Sequence, residues 1–307
     1  MHLSVYLPLL FSGVFGVLAP PLARRLPPAA GTWLLSVGGL VAAAGSSTSL
    51  ALLAFTLAGQ SSLLSSRGHW SVDSLRHVDP VATPVAAAAL AALAILALEA
   101  GLVGWRRVLA VRDACRLAAL LPAHGGELAV IPSPVPQAYA VPGRPGRIVV
   151  STSLLRQLSA GERRAVLAHE RSHLRHHHHV HQSLAQLAAA TNPLLSRLPA
   201  AAGSACERWA DEDAAKASNR DVVAEALTRA ATSKPAAAAS AVVLAAAATE
   251  ITIRVAALRA APLRLALWRL ALLVGLLGAT VAAVAEAAHD TERLFEFAQY
   301  AYRAQHR

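Results

Sequence analysis

Five consecutive residues, His169-Glu170-Arg171-Ser172-His173, hold the chain's clearest chemistry. On a helix, residues i and i+4 differ by about 400°, so they share a face roughly 6 Å apart along the axis. Two imidazoles so placed converge on one zinc ion, each at about 2.0–2.1 Å. Glu170 sits about 100° round from His169. There it reaches a water on the metal without occupying the metal, which is the station of a general base. A bare HExxH arises by chance in large sequence sets. Here Val166, Leu167, Ala168 and Leu174 give it an apolar face to anchor the helix.

Zinc hydrolases keep three protein ligands and one open position. Glu207 and Asp211, again i and i+4, supply the missing ligand. One carboxylate ligates while the other, one turn away, hydrogen-bonds a ligand imidazole. The stretch between His173 and Glu207 suffices to finish one helix, turn at Pro193 to Pro199, and return antiparallel. Trp209, between the two acids, reads as core.

The surrounding segments must position these groups. Leu128–Ile131, Tyr139–Val141 and Arg147–Ser151 read as short strands, rich in β-branched residues. Residues 122–126 read as a turn. Ser159 with Glu162 is a capping-box signature, opening a helix expected to run toward Ala190 and end at Asn192-Pro193. Further helices are expected over about 200–217, from Asp221 to a break at Pro235, and on to about Ala260. His176 to His179 and His181 extend the His-rich stretch. The default reading is a solvated, titrating helix face, with His177, one turn beyond His173, as a candidate to line the site.

The 307 residues are 55% hydrophobic and only 15% charged, with mean hydropathy +0.45. That excludes disorder for most of the chain. The formal charge of +10 is almost all Arg, with Lys216 and Lys234 the only lysines. No basic stripe with interleaved aromatics accompanies it, so direct nucleic-acid binding is not expected. Cys115 and Cys206 form no disulfide framework and no CxxC site. A bilayer core needs about 20 apolar residues per helix, and four segments qualify. The first is Leu3–Ala19, stopped by Pro20 and Pro21 and read as a retained span rather than a signal peptide. The others are Trp33–Ala58, Thr83–Gly104 with Trp105 as anchor, and Leu265–Ala288. Arg24 and Arg25 in the first loop, and Arg106, Arg107, Arg112 and Arg116 after the third span, place both regions inside by the positive-inside rule. Glu99 and Glu286 lie near span ends and read as snorkelling. The alanine run 236–248 is too short to span.

The expected fold is therefore a mainly α membrane protein with four transmembrane helices. Residues 1–104 form a membrane region with three of them. Residues 105–263 form a cytoplasmic α+β domain with a small edge β-sheet, 264–288 the fourth span, and 289–307 a short tail.

HExxH followed by Glu207-Arg208-Trp209-Ala210-Asp211 resembles the Glu-type zincins embedded in membranes: CAAX prenyl proteases, heat-shock membrane proteases, and antirepressor peptidases of the β-lactam-sensor type. The order Tyr139-Ala-Val-Pro-Gly143, Arg147-Ile-Val-Val-Ser151, Leu154-Leu155, Leu158-Ser159 and Val166-Leu-Ala-His-Glu170 resembles the last group most, as does the layout of spans. The chain shows no SxxK motif after its last span, unlike the β-lactam sensors themselves. The resemblance implies one Zn²⁺ held by His169, His173 and Glu207, with Glu170 catalytic and Asp211 orienting a ligand His. It also implies substrate alignment by β-addition along Gln137, Ala138, Tyr139, Ala140 and Val141. Arg254 is a candidate oxyanion group by analogy, or else a salt-bridge Arg packing its helix. The function expected is a zinc metalloendopeptidase in a bacterial plasma membrane, its site facing the cytoplasm. Its expected partners are the bilayer and a protein or peptide substrate, such as a transcriptional repressor or a membrane protein. Alternatives are membrane-protein quality control and a non-catalytic His-rich metal sensor or scaffold.

Overall fold

The computed structural model describes residues 4–78, 81–121, 126–232 and 241–305. The turn expected at 122–125, the break at Pro235 and the first part of the alanine run lie outside them. Helix α1 (Leu7–Ala23) is apolar throughout, and α2 (Pro28–Gly59) carries a π-turn at Leu34–Gly38. Short helices α3 (Ser62–Gly68) and α4 (Val72–Val78) lead to α5 (Thr83–Leu120). Strands β1 (Leu128–Ile131), β2 (Ala138–Val141) and β3 (Arg147–Ser151) follow, then α6 (Thr152–Gln157) and α7 (Ala160–Arg175). Helices α8 (His178–Thr191), α9 (Leu198–Ala217), α10 (Arg220–Thr232), α11 (Ala241–Arg259) and α12 (Leu267–Gln305) complete the chain. Among the described residues, α2, α5 and α12 are long and apolar enough to cross a membrane; α1, with 17 residues, is shorter.

Three elements depart from the sequence reading. Pro20 and Pro21 do not stop α1, which runs on to Ala23. Proline's fixed φ is helical, and the lost hydrogen bond is tolerated in a helix packed among others. The charges after Ala288 do not end the last helix, which continues unbroken to Gln305. Leu294 and Ala298 recur every four residues there and bury against Leu75 of α4, so the segment expected as a short tail is amphipathic helix. The helix expected from Ser159 to about Ala190 breaks at His176–His177, where His177 adopts the left-handed conformation with φ 50°.

The sheet has the order β1-β3-β2, with β1 parallel and β2 antiparallel to β3. Ile148 and Val150 pack toward Leu154, Leu158, Val166 and Leu174, while Val149 packs toward Ala118 of α5. This alternation follows the two-residue period of a strand buried on both faces. β2 is an edge strand lying alongside α7.

Helices α8 and α9, joined by the short turn Pro193–Leu195, form an antiparallel hairpin packed into the apolar bundle. Ala185, Ala188, Leu195, Leu198 and Ala202 share one core with Phe15, Ala19, Leu35, Ala42 and Leu273. At its tip the Asn192 amide donates to Ser12 Oγ and to Ser46 Oγ, both at 2.9 Å. Gly16 permits the contact: a Cβ there would lie 2.1 Å from the Leu194 carbonyl oxygen.

Candidate active site

The site is built on α7, and the start of that helix is secured locally. The Ser159 hydroxyl accepts from the Glu162 N–H at 3.3 Å, and the Glu162 carboxylate accepts from the Ser159 N–H at 2.8 Å. This reciprocal cap satisfies two of the orphan donors at a helix start. Two turns on, the helix presents His169 and His173 toward α9, where Glu207 faces them.

Donor atoms of His169, His173 and Glu207 all lie within 4.8 Å of one another. His169 Nε2 is 3.1 Å from His173 Nε2 and 3.4 Å from Glu207 Oε2, and His173 Nε2 is 3.5 Å from Glu207 Oε1. A tetrahedral zinc with ligands at 2.0–2.1 Å needs donor–donor edges of about 3.3–3.4 Å. The three residues therefore fit such an ion in donor type, number and spacing.

Each imidazole is held by its other nitrogen. His169 Nδ1 lies 3.0 Å from Asp211 Oδ1, and His173 Nδ1 lies 2.9 Å from His178 Nδ1. Such partners fix tautomer and ring orientation in metal sites. Arg254, from α11, binds Asp211 through two hydrogen bonds of 2.8 and 2.6 Å and reaches Glu207 Oε2 at 3.0 Å. The guanidinium thus ties the two carboxylates together, as the salt-bridge alternative anticipates.

This charge pattern sets the titration of the groups. Burial pushes the Glu207 carboxyl up, but the hydrogen bond to His169 and the charge of Arg254 outweigh it and bring it down to about 2. Burial alone would depress His169; hydrogen bonds to Asp211 and Glu207 instead raise it to about 9. Burial dominates at His173, lowered to about 4, and at His178, lowered to about 3. Glu170 is raised by burial, against the opposing charge of His169, and its carboxylate accepts the Ala140 backbone N–H. A carboxyl raised toward neutrality is tuned for proton exchange.

Glu170 borders two cavities. One of about 460 Å³ joins Glu170, His169 and Arg254 to apolar walls from Leu154, Leu158, Val223 and Leu227. The other, of about 380 Å³, runs along Tyr139 and Ala140 to His173 and His178. Gln137, Ala138, Tyr139 and Ala140 thus follow the edge of the site, with Gln137 tied to Ser151 just before β2, whereas Val141 lines neither cavity and is buried against Ala118 and Ala129. Trp209 stacks on His176 at 4.2 Å and also meets His178, as a packing residue would.

His177 does not line the cavity at His173; it lines a neighbouring cleft with Arg171 and Arg175, and His178 makes the contact instead. Periodicity hides this, because His178 is five residues from His173 and an unbroken helix would point it elsewhere. The part of the apolar wall that comes from α10, Val223 and Leu227, has no motif to mark it in the sequence.

Residues 106–249 match the family model described as Peptidase family M48. No curated protein and no solved structure matches the chain. The matched stretch contains His169, Glu170, His173, Glu207 and Asp211, so the part of the chain that supplies these residues is similar to peptidase family M48.

Proposed function

We propose that the protein is a zinc-dependent metalloendopeptidase embedded in a membrane. The observation that carries this reading is the triangle of His169, His173 and Glu207 donors at 3.1–3.5 Å, with Glu170 beside it. His169, His173 and Glu207 would hold a zinc ion there, which would supply Lewis acidity to a water and to the scissile carbonyl. The Glu170 carboxylate takes the proton from the attacking water and delivers it to the leaving nitrogen. Asp211 orients His169, His178 orients His173, and Arg254 keeps the Asp211 and Glu207 carboxylates ionised and in place. The outer edge of β2 aligns an extended substrate by backbone hydrogen bonding, from Gln137 to Val141. The apolar cavity beyond Glu170 takes a substrate side chain.

In this reading α1 crosses the membrane with α2, α5 and α12, residues 105–263 form the catalytic domain, and Arg-rich ends place the site on the cytoplasmic face of a bacterial plasma membrane. The resemblance to antirepressor peptidases supports regulatory cleavage of a repressor-like or membrane protein as its task. Glu170→Gln tests the chemistry: it should abolish proteolysis of an unfolded substrate such as casein while zinc stays bound. Normal cleavage by that variant would overturn the mechanism.

A further inference from the structure

We infer that a second cleft, between α5, the β2–β3 loop and the α7–α8 break, binds a phosphate ester, the headgroup of an anionic phospholipid in the leaflet on the Arg-rich side. The cleft holds about 980 Å³. Arg144, Arg171 and Arg175 line it against one carboxylate, Glu127. Arg171 pairs with Glu127. Arg144 and Arg175 are exposed and make no hydrogen bond or ion pair among the described residues. Two guanidiniums opening on one cleft whose single carboxylate is paired with a third are a phosphate-binding arrangement. Val111 and Leu174 give it an apolar wall, which suits the start of an acyl chain better than a free ion.

The height of the cleft is independent support. The hairpin tip lies midway along α1 and α2, at Ser12 and Ser46. Gly45, beside Ser46, abuts Thr280, which lies midway between Arg269 and Asp290 of α12. The tip is thus at the middle of the apolar layer. From Asn192 down α8 to the break at His178 is about 21 Å at 1.5 Å per residue. Half a bilayer, headgroups included, is about 20–22 Å. His177 and His179, at that break, line the cleft. The bundle ends at the same level: Arg208 bonds the Arg24 carbonyl at 3.1 Å, and Arg269 the Arg25 carbonyl at 2.8 Å. The cleft therefore opens where lipid phosphates lie, and basic pockets at that depth recognise anionic headgroups. Pro142, Leu174 and His179 line both this cleft and the cavity at His173, so an occupant borders the substrate edge.

The inference rests on the apolar helices crossing a membrane, and it is independent of the peptidase chemistry. The test uses the full chain in a neutral detergent, with its thermal-unfolding midpoint measured against added lipid, since a ligand of the folded state raises that midpoint. Dioleoylphosphatidylglycerol should raise it and dioleoylphosphatidylcholine should not. The double variant Arg144→Gln/Arg175→Gln should weaken the apparent affinity about tenfold or more, the scale of two charge-assisted hydrogen bonds. Arg164→Gln, exposed on the far part of α7, should leave it unchanged. A full shift with soluble glycerol phosphate would support the phosphate site with a soluble ester as its source. Equal response to both lipids, or an unaltered response in the double variant, overturns the proposal. Carbonate-resistant retention in membranes, measured alongside, separates that failure from failure of the membrane reading.

Discussion

His178→Phe isolates what the partner of a ligand imidazole contributes. With Nε2 of His173 facing the metal position, its Nδ1 must carry the proton and donate to His178 Nδ1 across 2.9 Å. Phe keeps the aromatic volume of a side chain that is 1% exposed but offers no acceptor. A buried N–H left unpaired costs about 1–3 kcal/mol. The cost falls on the zinc-bound state, because the free imidazole can move its proton to Nε2. At the far side of the ring Phe loses nothing, since His178 Nε2 has no partner among the described residues. Zinc affinity should therefore fall about 10- to 100-fold, the usual effect of removing such a partner. His178→Asn places an oxygen near the lost Nδ1 and should recover most of the loss. Burial holds His178 at about 3, so the imidazole stays a neutral acceptor and the effect should persist across neutral pH. Chelator competition at pH 7.5 reads the constants. Phe binding zinc within twofold of wild type, or Asn no better than Phe, would mean that His178 does not hold the His173 imidazole for the metal.

His169, raised to about 9 in the metal-free site, must lose its proton to bind zinc. Calorimetry at pH 7.5 in buffers of differing ionisation enthalpy should show about one proton released, with apparent affinity rising about tenfold per pH unit up to about 9 and levelling above. The same shift carries a stability sign. A folded pKa above the unfolded 6.5 stabilises the metal-free fold fully below pH 6.5, and that contribution is lost as pH rises through about 9. Metal-free protein should thus unfold more easily at pH 9 than at pH 6.5, and zinc should remove that trend. Gly16→Ala drives a Cβ to 2.1 Å from the Leu194 carbonyl, with backbone on both sides. Overpacking of this kind costs about 1–3 kcal/mol, read as a lower unfolding midpoint in detergent.

The chemistry was more legible than the architecture. HERSH, its capping box and the Glu207/Asp211 pair each follow a helical spacing, and the three strands are short β-branched runs between Pro and Gly. Those are local signals, and local structure obeys them. The break at His177 has no breaker residue, so periodicity carries the helix through it, which leaves the His stretch as a solvated face with His177, not His178, one turn beyond His173. The hairpin of α8 and α9 is mostly alanine, serine and histidine, too weakly hydrophobic to announce packing among apolar helices. Asn192 read as a helix terminator; that its amide also bridges two buried serines depends on residues far away in sequence. The charges near Asp290 read as a chain leaving the membrane, although the helix simply continues with one apolar face. Arg254 had two readings, and only tertiary contact ties it to Asp211 and Glu207.

Metal stoichiometry decides whether His169, His173 and Glu207 hold a zinc ion. Elemental analysis of the purified full chain should find one zinc, retained in Glu170→Gln and lost in His169→Ala, His173→Ala and Glu207→Ala. Zinc that survives those three substitutions and disappears only when His176 to His179 are replaced would place the metal on the His-rich stretch instead.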